Sequence, residues 1–393
     1  MVFRKMSIFK TIFLLAVAIG IVYLSELQGL SSLQLGLIDF VQYYSAANLW
    51  WNGSNPYNPD ILFQIEVQFY PSLEEVIRMW NPPFIFPMIG LFLSLPFHYA
   101  ATIWFCSSIV ILLFTAAKCL QDFSDSPRQL LYLGALVVLL FVPTYGCLQL
   151  GQITPLFLAG VLMYLQSYRS PSSKYGEIYA GFGLTLTLVK PHLFLLLYLF
   201  EFVRSYHRKK WQIILTFVSL TLLLCTISTA ILPEVWSYYR EALKAPPLYF
   251  HSASLGSWLQ YFFNSQSTLN QFLPTLIGLF FGVIWLLSRS SQELNSLPFA
   301  MLIITLSVAL SPYSWPFDFC VLLPCYVWIL VQAKQNRNLT IKIAAGFLVL
   351  SNVVALALVK KMQFFFWFPW LTFIILGWCY YQVKSAHTGT PET

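Results

Sequence analysis

Asp39 is a carboxylate that could do chemistry, because it precedes an aromatic stretch that follows the first hydrophobic segment. The stretch predicts a helix, since apolar residues recur at helical spacing along one face. They are Phe40, Tyr43, Tyr44, Ala47 and Trp51. Gly53 follows as a stop signal. Asp39 could cap this helix or act as a general base held at a membrane surface, and the stretch alone supports both interpretations.

Three further polar clusters interrupt apolar segments: GQIT at 151–154, VKPH at 189–192 and SPYSWPFD at 311–318. Such groups are costly in lipid, about 2.5–3.5 kcal/mol for a lysine at the bilayer centre. They therefore indicate function, although each has a structural alternative. Lys190 could snorkel to the interface. Gln152 could form an interhelical hydrogen bond. Asp318 could cap a helix or pair with a base.

The composition predicts an all-α polytopic membrane protein. Of 393 residues, 58% are hydrophobic and only 9% are charged, and the mean hydropathy is +0.69; soluble domains carry about 25% charged residues. The seven cysteines form no CxxC pair, and the sequence contains no HExxH, GxGxxG or P-loop motif. We therefore expect no metal site, no disulfide framework and no nucleotide cofactor. The net charge of +7 reflects membrane topology, not nucleic-acid binding.

Apolar runs predict a bundle of about 12 transmembrane helices, with a range of 11 to 13. Two segments, 177–189 and 192–203, are short and predict either a hairpin or one bent span. The proline-broken segment 83–97 predicts a re-entrant or interfacial helix. The predicted spans are 8–25, 99–119, 129–145, 153–168, 177–189, 192–203, 211–232, 271–288, 296–313, 316–333, 340–359 and 364–382.

Most of the 22 lysines and arginines fall in segments that are inside if both termini are cytoplasmic. Two long loops, 25–82 and 233–270, are then extracytoplasmic. A second surface helix is expected in the first loop, where apolar residues recur at helical spacing. They are Leu73, Val76, Ile77 and Trp80. We expect an uncleaved signal anchor at 8–25, a single transmembrane domain over 1–384 and a flexible tail at 385–393.

Five stretches in order resemble glycosyltransferase family 87, whose members have the GT-C fold. They are DFVQYYSAANLWWNGSNPYNP, WNPPFIFPMIGLFLSLPF, GQITPLFLAGVL, GLTLTLVKPHLFLL and SPYSWPFDFCVLLP. The resemblance extends from about residue 38 to 325. It implies a plasma-membrane enzyme with an extracytoplasmic active site, which takes a hexose, with mannose expected, from a polyprenyl-phosphate sugar. The acceptor would be a glycolipid or glycan, the enzyme would lie in the lipid bilayer, and no further cofactor is expected.

The resemblance implies an acidic base in the first outer loop, which corresponds to Asp39. The candidates for binding the donor phosphate are cationic or imidazole side chains, Lys190, His192, Arg240, Lys244 and His251. The candidates for binding the sugar or acceptor are polar or aromatic side chains, Tyr43, Asn48, Asn81, Gln152, Trp315 and Asp318. The fold that the resemblance implies predicts inversion of configuration, since only one carboxylate is clearly placed; retention would need a second.

Two other functions stay open. A transporter or lipid flippase should show an internal repeat and ionisable groups at mid-span, and the sequence favours neither. A non-catalytic membrane scaffold in glycan assembly would tolerate the loss of Asp39. The enzyme is the favoured hypothesis.

Overall fold

The computed structural model describes residues 37–123, 137–138, 140–169, 174–245, 252–358 and 362–388. This part of the chain is helical and contains no strand, which confirms the all-α prediction. The expected signal anchor at 8–25, most of the span at 129–145 and most of the tail lie outside the described residues. The helix count of about 12 therefore stays a prediction.

Seventeen α-helices follow one another in the described residues, interrupted by short 3₁₀ turns at Pro191–Leu193, Pro316–Leu322 and Met362–Phe365. In chain order they are α1 (Ile38–Trp51), α2 (Pro59–Phe69), α3 (Ile85–Gly90), α4 (Phe97–Phe123), α5 (Pro143–Leu150), α6 (Thr154–Gln166), α7 (Lys174–Thr187), α8 (Leu195–Arg208), α9 (Gln212–Ile231), α10 (Val235–Ala242), α11 (Leu255–Phe262), α12 (Thr268–Leu287), α13 (Ser291–Leu294), α14 (Leu297–Ala309), α15 (Leu323–Gln335), α16 (Leu339–Leu358) and α17 (Trp367–Thr388).

Five helical segments of the described chain are long and apolar enough to cross a membrane. They are Phe97–Phe123, Gln212–Ile231, Thr268–Leu287, Pro316–Gln335 and Leu339–Ala357. Helix α3 has only six residues and rises about 9 Å, so residues 83–97 do not cross a membrane as one helix. Helices α7 and α8 have 14 residues each and are separated by irregular backbone and a 3₁₀ turn.

Helix α1 forms as its sequence predicts, but it is buried on most of its surface. The Phe40 ring stacks on Trp104 at 5.1 Å, and the Trp50 ring stacks on Phe86 at 5.7 Å. Trp51 belongs to the predicted apolar face but is 58% exposed. The neighbouring Trp50 takes the buried position, and its indole nitrogen donates to the Ser228 carbonyl at 3.0 Å.

The second helix of this region is not where the pattern at 73–80 predicts it. That prediction is wrong: residues 72–81 form no helix, and α2 lies at Pro59–Phe69. The Asn58 side chain caps α2 by accepting from the backbone N–H groups of Asp60 and Ile61, and Pro59 fits the first helical turn. The segment after Pro71 instead donates the Ile77 backbone N–H to the Glu66 carboxylate at 3.0 Å.

Candidate active site

The start of α6 and the end of α7 lie side by side, because the two helices are antiparallel neighbours in close contact. A Cβ added to Gly160 of α6 would lie 2.3 Å from the carbonyl oxygen of Gly183 in α7. Small residues of this kind let membrane helices approach closely. This contact brings Gln152, which precedes α6, to the same end as Lys190, which follows α7.

Gln152 lies at the centre of the polar cluster that results. Its side-chain nitrogen donates to the Asp39 carboxylate. Its side-chain oxygen accepts from the Tyr43 hydroxyl at 3.2 Å and from the Lys190 ammonium at 3.3 Å. The amide orientation is fixed by this network, since an ammonium can only donate and a carboxylate can only accept. One buried amide therefore joins a proton acceptor to a cation.

Lys190 also forms an ion pair with Asp318. Its Nζ lies 2.7 Å from Asp318 Oδ1, and both side chains are buried. Asp318 accepts two further hydrogen bonds, from the Trp315 backbone N–H at 3.0 Å and from the Thr154 hydroxyl at 3.4 Å. The Lys190 ammonium also lies 5.0 Å from the centre of the Phe317 ring. Lys190 is thus held inside the protein and does not snorkel.

Asp39 does not cap α1. The helix begins at Ile38 after Leu37 and has no side-chain cap, and the Asp39 carboxylate is held by Gln152 instead. Desolvation raises the pKa of Asp39 to about 6, although the charge of Lys190 and the hydrogen bond from Gln152 act in the opposite direction. A carboxyl with this pKa is mostly ionised at neutral pH and is a stronger base than an ordinary aspartate.

The turn at Gly151 sets the distance between α1 and Gln152. Gly151 has φ +67°, in the left-handed region that favours glycine, and a Cβ there would meet Phe40 Cβ at 3.0 Å and the Leu37 Cα at 3.2 Å. Its carbonyl accepts the Trp104 indole N–H at 2.9 Å. Glycine therefore lets the turn that carries Gln152 lie directly against the start of α1.

The structure brings together one residue from each of the four polar clusters: Asp39, Gln152, Lys190 and Asp318. Tyr43 joins them through Gln152. Two other predicted substrate residues lie next to the cluster. Asn81 donates its side-chain N–H to the Val189 carbonyl at 3.0 Å, and the Trp315 ring stacks on Phe317 at 6.2 Å.

In the described part of the chain, none of the other predicted residues forms a hydrogen bond to this cluster, although His192 follows Lys190 by only two residues. The Asn48 side chain accepts from Asn52 at 3.2 Å on α1 itself. The His192 ring is 6.3 Å from the ring of Tyr313. Arg240 is exposed on α10, and the exposed Lys244 pairs with Glu241 at 2.6 Å. His251 lies outside the described residues.

Glu66 is a buried carboxyl that the sequence interpretation missed. Its side chain is fully buried, one oxygen accepts from Ile77, and the other oxygen has no hydrogen-bond partner within the described chain. Burial raises the pKa of Glu66 to about 7, and the negative charge of Asp39 adds to this rise. The sequence does contain a signal for the burial of Glu66: Leu62, Glu66 and Phe69 recur at helical spacing on the apolar face of α2.

Two backbone segments hold the loop that carries Trp315 and Asp318. Ala253 and Ser314 exchange hydrogen bonds: the Ala253 N–H donates to the Ser314 carbonyl at 2.6 Å, and the Ser314 hydroxyl donates back at 2.8 Å. The Ser254 hydroxyl and the Gln271 amide both donate to the Pro312 carbonyl. The second long loop is thereby joined to the loop at the site.

The comparisons with known proteins identify the family. The model of glycosyltransferase family 87 matches residues 80–312, which is more than half of the chain. The match includes Gln152 and Lys190, whereas Asp39 precedes it and Asp318 follows it. Neither the curated proteins nor the solved structures gave a match. The extent of the family match confirms the resemblance seen in the sequence, and the chain belongs to glycosyltransferase family 87.

Proposed function

We propose that this membrane glycosyltransferase moves a hexose, with mannose expected, from a polyprenyl-phosphate sugar to an acceptor hydroxyl, with Asp39 as the general base. The observation that supports it most directly is the Gln152 amide, which joins the Asp39 carboxylate to the Lys190 ammonium. Such a pair suits a displacement that needs a proton acceptor for one oxygen and a positive charge for another. The reaction would take place on the extracytoplasmic side of the plasma membrane.

In the proposed reaction, the acceptor oxygen attacks the anomeric carbon as Asp39 takes its proton. The bond between that carbon and the phosphate oxygen breaks, and its electron pair stays on the polyprenyl phosphate. A single displacement inverts the configuration. General-base catalysis of this kind contributes about 10²–10⁴-fold. The raised pKa of Asp39, about 6, suits a base that works near neutral pH.

Lys190 is the cation that we assign to the leaving phosphate. An ammonium has three N–H donors. Asp318 and Gln152 accept from Lys190 in the structure, which leaves one donor for a phosphate oxygen. Asp318 would then keep the ammonium in place between turnovers, and Tyr43 would hold the Gln152 amide in the orientation that serves both partners. No cofactor takes part in this proposal, because the lipid-linked donor already carries the activated sugar.

The test compares wild type with Asp39→Asn, each reconstituted in nanodiscs and supplied with radiolabelled polyprenyl-phosphate sugars and extracted glycolipid acceptors. Asparagine can still accept from Gln152 but cannot take a proton. We expect transfer to fall at least 100-fold in Asp39→Asn. Asp60→Asn, which changes an exposed carboxylate on α2, is the matched control and should keep wild-type transfer. Transfer at the wild-type rate in Asp39→Asn would rule out the assignment of the base.

If neither the wild type nor the control transfers a sugar from any donor, the glycosyl-transfer proposal fails. The transporter and scaffold alternatives are then tested by measuring movement of the labelled lipid across the bilayer of sealed vesicles.

A further inference from the structure

A cleft separates the segment around residues 55–80 from α10. Its volume is about 310 Å³, at the lower end of the range of about 300–1,000 Å³ that small-molecule sites occupy. The side of the cleft formed by the first segment combines aromatic and polar side chains, namely Asn55, Tyr57, Asn58, Arg78 and Trp80. None of the lining residues belongs to the cluster of Asp39, Gln152, Lys190 and Asp318.

The opposite side of the cleft is one face of α10 and the turn that follows it. Tyr238, Glu241, Ala242 and Ala245 line the cleft at intervals of three and four residues. Arg240, which the sequence suggested for phosphate binding, is not among the lining residues. This side therefore contributes one aromatic ring and one carboxylate to the cleft. Its other two lining residues are alanines, whose small side chains leave room for a ligand.

The polar groups of the cleft suit hydroxyl groups. The oxygens of the Asn55 and Asn58 side chains accept from backbone N–H groups, which leaves their amide nitrogens as donors. The Arg78 side chain is exposed and has no ion-pair partner in the described part of the chain. A guanidinium presents several N–H donors in one plane, so it can bind two neighbouring hydroxyls at once.

The aromatic groups suit the C–H face of a sugar ring. Tyr57, Trp80 and Tyr238 all line the cleft, and large flat rings contribute apolar contact area with little loss of conformational entropy. The Tyr57 hydroxyl donates to the Asn81 carbonyl at 2.8 Å, and the Trp80 indole donates to the Ala245 carbonyl at 3.2 Å. The polar ends of these two rings are thus engaged at the walls, and the rings are fixed in place.

The cleft is connected to the candidate active site through one short segment. The carbonyl of Arg78 accepts from the Gln42 side chain, one turn along α1 from Asp39. Asn81 donates to the Val189 carbonyl, next to Lys190. The same stretch of chain therefore lines the cleft with Arg78 and Trp80 and touches the elements that carry the proposed base and cation.

We propose that this cleft binds the saccharide part of the acceptor, and this inference rests on the proposed glycosyl transfer. The donor must place its phosphate at Lys190, which does not line the cleft. The acceptor needs a second place that holds sugar rings through stacking and hydroxyl contacts, and the cleft has both kinds of group.

Saturation-transfer NMR on the protein in nanodiscs tests binding without any need for catalysis. The probes are methyl glucoside, methyl mannoside, methyl galactoside and the disaccharides of the same sugars. We expect saturation of ring protons of at least one probe in the wild type and equally in Asp39→Asn. The signal should fall at least fivefold in Arg78→Ala and in Tyr238→Leu, which keeps an apolar side chain. Glu75→Ala, an exposed residue of the same segment outside the cleft lining, is the control.

Two outcomes would overturn the inference. Equal signals in wild type, Arg78→Ala and Tyr238→Leu would show that the probes do not bind in this cleft. Displacement of the probe by a polyprenyl-phosphate sugar would assign the cleft to the donor. With active protein, we expect Arg78→Ala to raise the KM for the acceptor at least tenfold and to leave the KM for the donor unchanged. Absence of transfer by the wild type from every donor, with probe binding intact, would count against the proposed function and not against the cleft.

Discussion

The Lys190 ammonium lies 2.7 Å from the Asp318 carboxylate in a buried ion pair. Breaking such a pair by removing one partner costs about 3–5 kcal/mol, because the other charge stays buried without compensation. We expect Asp318→Leu to lower the thermal midpoint more than the double variant Lys190→Met, Asp318→Leu does. Thermal unfolding of the purified proteins in detergent measures both. A double variant that unfolds at the same temperature as Asp318→Leu, or at a lower one, would contradict the ion pair as the main interaction of the two side chains. Neither variant should transfer sugar.

The pKa of Asp39 predicts how the reaction depends on pH. Because burial raises that pKa to about 6, the base loses its proton as the pH rises through 6. We expect kcat/KM to be level between pH 7 and 8 and to fall about tenfold per unit well below pH 6. The hydrogen bond from Gln152 lowers the pKa of Asp39, so Gln152→Leu should move the inflection to higher pH. An inflection near pH 4 in the wild type would contradict the raised pKa of Asp39.

Glu66 predicts a pH dependence of stability that is separate from activity. Its pKa is about 7 in the folded protein and 4.5 as its ordinary value. The stabilisation from its bound proton is therefore complete below pH 4.5 and is lost as the pH rises through 7. Glu66→Gln keeps an acceptor for the Ile77 N–H without a charge. We expect it to be more stable than the wild type at pH 8, by roughly 1–3 kcal/mol, and nearly equal at pH 5.

Thermal unfolding of Glu66→Gln at both pH values measures this difference. Glu75→Gln changes an exposed carboxylate of the same region and should leave the midpoint unchanged. A stability difference that is the same at pH 5 and pH 8 would show that Glu66 does not titrate in this range.

Gly151 predicts a link between backbone conformation and activity. Alanine there must adopt φ +67° and place its Cβ 3.0 Å from Phe40 Cβ, so the turn and α1 have to move apart. We expect Gly151→Ala to lower the thermal midpoint by the equivalent of about 1–2 kcal/mol. It should also reduce transfer, because Gln152 moves out of hydrogen-bond distance of Asp39. Gly346→Ala is the control, since a Cβ there meets nothing within 4 Å. Full activity in Gly151→Ala would contradict this role.

The local part of the fold could be predicted from the sequence. The apolar spacing after Asp39 gives α1, and Gly53 follows its C-cap with φ +74°. The long apolar runs give the five long apolar helical segments. The apolar spacing at 73–80 failed as a predictor because tertiary packing overrode it: the buried residue of this segment is Met79, which the pattern does not include. Pro71 precedes that segment, and the Glu66 side chain binds its backbone.

The polar clusters of the candidate site could be predicted from the sequence, but the contacts between them could not. Sequence spacing does not reveal that Gln152 accepts from Lys190, or that Lys190 pairs with Asp318, since these contacts depend on how α6 and α7 pack through their glycines. The burial of Glu66 is likewise decided by the segment that covers it. The cleft depends on the approach of α10 to residues 55–80, which no local pattern specifies.

The order of synthesis has a consequence for when this protein can become active. Asp39 and Gln152 are 113 residues apart, Asn81 and Val189 are 108 apart, and Lys190 and Asp318 are 128 apart. In each pair, the earlier residue leaves the ribosome long before its partner has been synthesised. The ion pair between Lys190 and Asp318 forms only after Pro316–Leu322 has been made. A nascent chain that ends earlier holds Lys190 without its counter-ion. If the proposed site is correct, we expect the enzyme to stay inactive during most of its own translation, and any truncation before residue 318 to leave it inactive.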